Sequence, residues 1–302
     1  MTSRSTTRAT LLVLFSACCF GSIGVLITLG TRSGARLVDL LAWRYAIAAV
    51  LLAGVGGASA MRDAGRRGVR LLILAGGGQA IIAFLSLSAL VYIPVGTLTF
   101  LFYTYPAWVT VMAAVRRTEA LTTQRVIALS LSLGGIALMV GMPGAGGLHP
   151  VGTLLALSSA LLYAIYIPMI NHLAEGLAPA VTSSWASAGA AIIFLVAAMA
   201  QGGLGVHFAP VAWGAILTLA IVSTVLAFIA FLHGLAVIGP VRTAIASTIE
   251  PFWAALLAAV VLDQSVGPRT FAGGVLIAAA VVLLQLGQRA GTRSFAEAES
   301  VT

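Results

Sequence analysis

The sequence predicts an all-α integral membrane protein, with ten transmembrane helices arranged as two inverted five-helix repeats around a central cavity. Three observations carry that prediction. The first is composition: of 302 residues, 60 % are hydrophobic and 8 % charged, whereas about 25 % charged is usual for a soluble domain. So few charges cannot cover a soluble surface. The second is spacing: ten apolar stretches are each close to the ~20 helical residues that cross a hydrocarbon core about 30 Å thick. The third is internal similarity: residues of the first half recur in the second at an offset of 145 residues, as from Leu90 to Leu235. The same composition excludes a disordered chain, a disulfide-framed secreted domain and a small nucleic-acid module.

The spans follow in order. Ala9–Leu29 opens the chain. Arg4 and Arg8, then Leu11 to Phe15, then small residues resemble a secretory leader, and Phe15-Ser16-Ala17-Cys18 resembles a lipoprotein cleavage box. The apolar run continues to Leu29, long enough to span, which favours a retained first helix. Val38–Gly56, Arg70–Tyr92, Val95–Val115 and Thr123–Val140 complete the first unit, residues 1–142. Gly152–His172, Pro179–Ala200, Val211–His233, Val241–Leu262 and Arg269–Leu286 make the second, residues 151–288. The breaks carry turn chemistry at Gly56-Gly57, Pro94, Pro143-Gly144, Gly202-Gly203, Gly239-Pro240 and Gly267-Pro268. Residues 289–302 read as a polar, disordered cytoplasmic tail.

Net charge is +8, and all 16 basic residues are arginine. The absence of lysine removes a P-loop and any Schiff-base lysine. The arginines form no basic groove interleaved with aromatics, so nucleic acid is not an expected partner. They sit in short loops. With the N-terminus inside, Arg4, Arg8, Arg62, Arg66, Arg67, Arg70, Arg116, Arg117, Arg125, Arg242, Arg289 and Arg293 fall inside, against Arg32, Arg36 and Arg269 outside. The positive-inside rule then places both termini in the cytoplasm of a bacterial-type inner membrane. Cys18 and Cys19 are adjacent in an apolar run and frame neither a disulfide nor a zinc site. No cofactor or metal is expected.

At the 145-residue offset Pro106 meets Pro251, Trp108 meets Trp253, and Ala113-Ala114-Val115 meets Ala258-Ala259-Val260. Near the start an offset of 143 pairs Phe20 with Tyr163. Matches of Ala and Leu count for little in apolar sequence; the paired Pro-x-Trp counts for more. Five spans per unit is an odd number, so the second unit enters the membrane in the opposite sense. Inverted repeats of this kind underlie many secondary transporters, with substrate held near midplane between the repeats.

The chain resembles the drug/metabolite transporter superfamily, EamA type. The resemblance rests on Trp43-Arg44-Tyr45, on Tyr105-Pro106 closing on Arg116-Arg117-Thr118-Glu119, and on Glu250-Pro251-Phe252-Trp253 running to Leu262-Asp263-Gln264. Family members usually carry Glu thirteen positions after the proline; Glu119 keeps it, and Gln264 departs from it. The resemblance implies spans one to four and six to nine around a central cavity, with five and ten peripheral, and export of metabolites, amino acids or drugs. Phe102-Tyr103-Thr104-Tyr105-Pro106 and Tyr163-Ala164-Ile165-Tyr166 are similar to the aromatic-rich segments of aromatic-amino-acid exporters of the YddG type.

Each candidate site residue has a functional and a structural reading. Glu250 is a carboxylate inside a span, a functional candidate by default. Pro251 beside it frees a carbonyl and kinks the helix, as Pro106 does in the fourth span. Burial favours the neutral form of a carboxyl, so Glu250 suits a proton or an ammonium group; the alternative is a structural hydrogen bond or a pairing with arginine. Arg44 either binds a substrate carboxylate, snorkels, or braces the fold against Asp39 or Glu250. Tyr163 and Tyr166 share a helix face and suit an aromatic cavity wall. Tyr103 and Tyr105 lie about 200° apart on a helix, so they are not expected to face a cavity equally. Gln79 meets Thr224 at the 145-residue offset, which suits either a shared pocket or interhelical bonding. Trp185 is a further wall candidate. His233 and His172 lie at span ends, where solvation at the interface competes with a role as titrating groups.

Ser130-x-x-x-Gly134 and Gly274-x-x-x-Ala278 are small-residue pairs that allow close helix approach, within the chain or between two copies. Monomer and homodimer both stay open. The expected function is secondary transport: export of small metabolites, amino acids first, with drugs, sugars or nucleosides as the alternative. Proton coupling through Glu250 is open. A membrane enzyme would need a constellation such as His-Glu-x-x-His or Gly-x-Ser-x-Gly, and a channel a ring of charge or a selectivity loop; neither is present in the sequence.

Overall fold

The computed structural model describes residues 3–89, 91–93, 95–118, 122–140, 149–263 and 266–299. Pro94, Glu119, Pro143-Gly144 and Gln264 lie outside the described residues. Every regular element among the described residues is helical. Seven stretches are long and apolar enough to cross a membrane, and Thr123–Met139 and Pro268–Leu283 are shorter apolar helices.

The first span is two helices, α1 (Ser3–Gly21) and α2 (Ile23–Arg32), joined at Ser22. α3 (Leu37–Gly56) returns. Short helices α4 (Ala58–Asp63) and α5 (Gly65–Arg70) carry the arginine-rich loop into a π-helical turn at Leu71–Gly76, continued by α6 (Gly77–Ala89). α7 (Val95–Phe102) and α8 (Tyr105–Val115) form one broken span, and α9 (Thr123–Val140) closes the first half. The second half holds α10 (Pro150–Leu173), α11 (Pro179–Ala200) and α12 (Pro210–Ala220), then a π-helical turn at Ile221–Leu226. α13 (Ala227–Ala246), a 3₁₀ turn at Ser247–Ile249, α14 (Glu250–Leu262) and α15 (Pro268–Glu299) complete it.

The apolar stretch Pro210–Leu262 covers 53 residues. As one straight helix it would be about 80 Å long, more than twice the hydrocarbon thickness. Gly239 breaks it, with φ 78° and ψ 168°. That conformation is open to glycine, and Pro240 next in sequence cannot continue the hydrogen-bond ladder.

Packing follows a two-fold logic. α3 lies along α11, and α9 along α15, in the two most extensive helix contacts. The next two are α1 on α13 and α10 on α6. Exchanging the halves converts the last pair of contacts into each other and leaves the first pair unchanged. The outer surface is apolar: Val91, Val115 and Val260 are 79 %, 78 % and 81 % exposed, as expected of side chains that face lipid.

Glycine sets the closest crossings. A Cβ on Gly76 would stand 2.6 Å from the Gly189 Cα, and one on Gly189 would overlap the Leu72 carbonyl oxygen. The glycines of the third span therefore serve close contact with α11. The α9–α15 crossing is equally tight, but through Gly135 and Gly273. This shifts the expected small-residue pairs by one position: nothing lies within 4 Å of a Cβ on Gly134, and Gly274 faces Phe252. The expected disordered tail gives way to helix, since α15 runs on through Glu299; Ala296, Glu297, Ala298 and Glu299 are strong helix formers.

Candidate functional site

Proline creates the site's framework. Pro106 at the start of α8 and Pro251 at the start of α14 each follow a break in the helix ladder: the turn at Tyr103-Thr104, and the 3₁₀ turn at Ser247–Ile249. The 145-residue offset superposes these breaks and sets Tyr105 against Glu250. Half-helix starts at matching depth are a recurring way to expose backbone and side chains to a substrate cavity.

A cavity of about 180 Å³ opens between the halves beside Glu250. Its aromatic wall is Phe20, Tyr45, Phe102, Tyr163, Tyr166, Phe228 and Phe231. Tyr163 stacks on Phe102 at 5.4 Å between ring centroids and on Tyr166 at 6.0 Å. Gly78 gives the Tyr166 ring its room, since a Cβ there would stand 3.2 Å from it.

The residues with polar side-chain atoms that line this cavity are Arg44, Gln79, Glu250 and the tyrosines Tyr45, Tyr163 and Tyr166. The buried Gln79 Oε1 and the Tyr166 hydroxyl have no hydrogen-bond partner, a costly state unless a ligand or water satisfies them. Glu250 lies close to the buried Tyr103. Arg44 donates from Nε to Thr224 Oγ1 at 2.7 Å and from Nη2 to the Ser223 carbonyl at 2.9 Å. Its guanidinium carbon lies 4.9 Å from the Tyr45 ring centroid. Asp39 is not its partner. That carboxylate pairs with Arg36 at 2.7 Å and accepts from the Gly205 N–H.

The predicted residues divide accordingly. Arg44, Gln79, Tyr163, Tyr166 and Glu250 come together at the cavity. Thr224 sits one layer back, fully buried behind Arg44. Tyr103 and Tyr105 are both buried and form one aromatic group, 6.0 Å apart. The expected 200° separation fails because the helix breaks between them. Neither lines the cavity: Tyr103 packs edge-on against Phe102 at 5.6 Å, and Tyr105 packs edge-on against Tyr163 at 4.7 Å. Trp185 lies over Gly68, away from the cavity. His233 is on the outer face, its Nδ1 3.2 Å from the Ile229 carbonyl. Phe20, Tyr45, Phe102, Phe228 and Phe231 are wall residues outside the predicted set. The 143-residue offset between Phe20 and Tyr163 was the available signal for the first of them.

Two further cavities flank the first at opposite ends of α11. One, of about 470 Å³, lies near Gln201 and includes Arg36, Ser88 and Phe194. The stacked pair Tyr45–Phe194, nearly parallel at 5.7 Å, stands between it and the central cavity. The other, of about 320 Å³, is lined by Val109, Met112, Arg116 and Asn171. Tyr105, one turn before Val109, packs against the wall residue Tyr163, and its hydroxyl lies 3.4 Å from the Ala244 carbonyl oxygen. Among the described residues no group of three His, Cys, Asp or Glu side chains is placed to hold a metal ion.

A model of the EamA-like transporter family matches residues 7–141 and matches again over residues 150–286. The chain belongs to the EamA-like transporter family. Both EamA-like units cover five predicted spans each, in agreement with the repeat read from Pro106 and Pro251. One solved crystal structure aligns with a TM-score of 0.79 at 18 % identity, covering 94 % of this chain and 98 % of that one. That likeness is one of fold. No curated protein matches the chain. As an EamA-like protein it is a multi-pass membrane transporter of small molecules.

Proposed function

We propose that this EamA-like protein is a ten-helix secondary transporter that exports small metabolites, neutral amino acids first, from the cytoplasm across a bacterial-type inner membrane. The two halves are five-helix repeats of opposite sense, and both termini are cytoplasmic. The observation that carries the reading is the central cavity between the halves. It combines an aromatic wall with a carboxylate, a guanidinium and two unpartnered polar groups. Aromatic faces take up the apolar part of an amphipathic molecule, while Glu250 and Gln79 meet its polar part. The abundance of rings favours aromatic amino acids.

The Tyr45–Phe194 pair lies between this cavity and the one near Gln201. Rocking of one repeat against the other exposes the central cavity to each side of the membrane in turn, which is alternating access. The driving force is a gradient, either the substrate's own or a coupled proton carried by Glu250.

Counterflow in proteoliposomes tests the proposal. Vesicles are loaded with unlabelled amino acids one at a time, and labelled phenylalanine or threonine is added outside in trace amounts. Transient accumulation that Tyr163→Ala abolishes is the expected result. No accumulation with any amino acid would keep the family and redirect the substrate to drugs, sugars or nucleosides.

A further inference from the structure

The arginine at the cavity wall is mounted on the opposite repeat. We infer that Arg44 is aimed by the π-helical turn of the second half to receive a carboxylate, and that Thr224 is the positioning residue that makes the cavity select acids over the corresponding amines. The inference rests on the proposed carrier reading and adds the substrate group that Arg44 takes.

Arginine offers five N–H donors in a planar fork. The edge formed by Nε and Nη2 is occupied by Thr224 Oγ1 and the Ser223 carbonyl. The three remaining N–H groups find no hydrogen-bond partner among the described residues. They include one hydrogen on each terminal nitrogen, the end-on pair that grips a carboxylate with two parallel bonds. Arg44 is 3 % exposed and lines the cavity, so this end is open to whatever occupies the cavity.

The mount is specific. The Thr224 hydroxyl donates to the Leu219 carbonyl at 2.8 Å, five residues back, and so has only lone pairs left for Arg44. A π-helical turn disturbs the regular ladder. Ser223 in that turn offers its carbonyl to Arg44 and its hydroxyl to Ser22 at 2.7 Å. The guanidinium is thus fixed by groups from the other half. A valine at 224 keeps the shape and loses the aim; a serine keeps the hydroxyl.

The test measures ligand-induced thermal stabilisation of the purified full-length protein in detergent. The probes are three acid–amine pairs: phenylalanine and phenethylamine, leucine and isoamylamine, threonine and 1-aminopropan-2-ol. A charge-assisted bond gives the wild type about tenfold or more tighter binding of the acid in each pair it accepts. Thr224→Val is expected to bring the two members of a pair within about twofold, mainly by weakening the acid, and Thr224→Ser to restore the preference. Should Thr224→Val not fold, Arg44→Lys carries the same expectation, since it keeps the charge and loses the fork. A preference retained in either variant overturns the inference. A wild type that binds amines as tightly as acids overturns it too, and leaves the carrier reading standing. A wild type that binds no member of any pair removes both the inference and the amino-acid reading.

Discussion

Glu250 and Arg44 border one small cavity and form no ion pair with each other among the described residues. The guanidinium is held by the Thr224–Ser223 mount. Charges taken out of water cost several kcal/mol each unless hydrogen bonds offset the loss, so this separation leaves both able to meet a ligand. Glutamine at 250 has the shape of glutamate and cannot release a proton. If Glu250 carries the coupled proton, Glu250→Gln transport becomes independent of an imposed pH gradient in proteoliposomes. A variant as sensitive to pH as the wild type would remove that role from Glu250. The residue scale also shows what the sequence displayed and what it hid. Tyr163 and Tyr166 were legible, because depth in the span and a spacing of three fix their face. Tyr105 was misplaced because helical angles do not carry across a break. For Thr224 the sequence left a pocket shared with Gln79 and interhelical bonding both open; it sits in the π-helical turn, behind Arg44, and accepts its hydrogen bond.

At the level of helices, crossings are set by glycines whose partners are backbone atoms. A Cβ on Gly189 overlaps the Leu72 carbonyl oxygen, and backbone cannot swing aside as a side chain can. Gly189→Ala should therefore destabilise the protein by about 1–3 kcal/mol, the usual cost of overpacking. Thermal unfolding in detergent measures it, with Gly134→Ala as the control, where nothing lies within 4 Å of the added carbon. Equal melting temperatures in the two variants would refute the argument. The spans themselves were readable from hydropathy, and their breaks at Pro106, Gly239-Pro240 and Pro251 from turn chemistry. Which glycine of a neighbouring pair makes the contact was not readable: Gly134 and Gly135 are equivalent in composition, and only the crossing geometry selects Gly135.

Across the whole molecule, the two family matches and the exchange symmetry of helix contacts agree on two halves. The proposed orientation follows from the loop arginines and is testable directly. With Cys18 and Cys19 replaced by serine, a cysteine at His207 is expected to react with a membrane-impermeant thiol reagent in intact cells. A cysteine at Glu175, exposed at the other end of α11, is expected to react only after the cells are opened. The reverse pattern would invert the proposed topology. The direction of charge bias is thus written in the sequence, whereas the cavity is not, because its wall draws on both halves and on segments 20 to 250 that meet only after folding.

One feature near Gln201 constrains how such a molecule can move. Arg36 reaches the Gln201 carbonyl at 2.8 Å and the Gly203 carbonyl, while Asp39 holds the Gly205 N–H and Trp43 donates to the Gly205 carbonyl at 2.9 Å. These bonds rivet the start of α3 to the loop that follows α11, and the same two helices share the longest seam in the protein. One member comes from each half, yet together they form a single shaft. The proposed rocking would pivot about that shaft rather than separate it, with the broken helices that begin at Tyr105 and Glu250 as its travelling parts. A binding protein that grips the 201–205 loop would be holding the axle, and the mechanism could still turn beneath it.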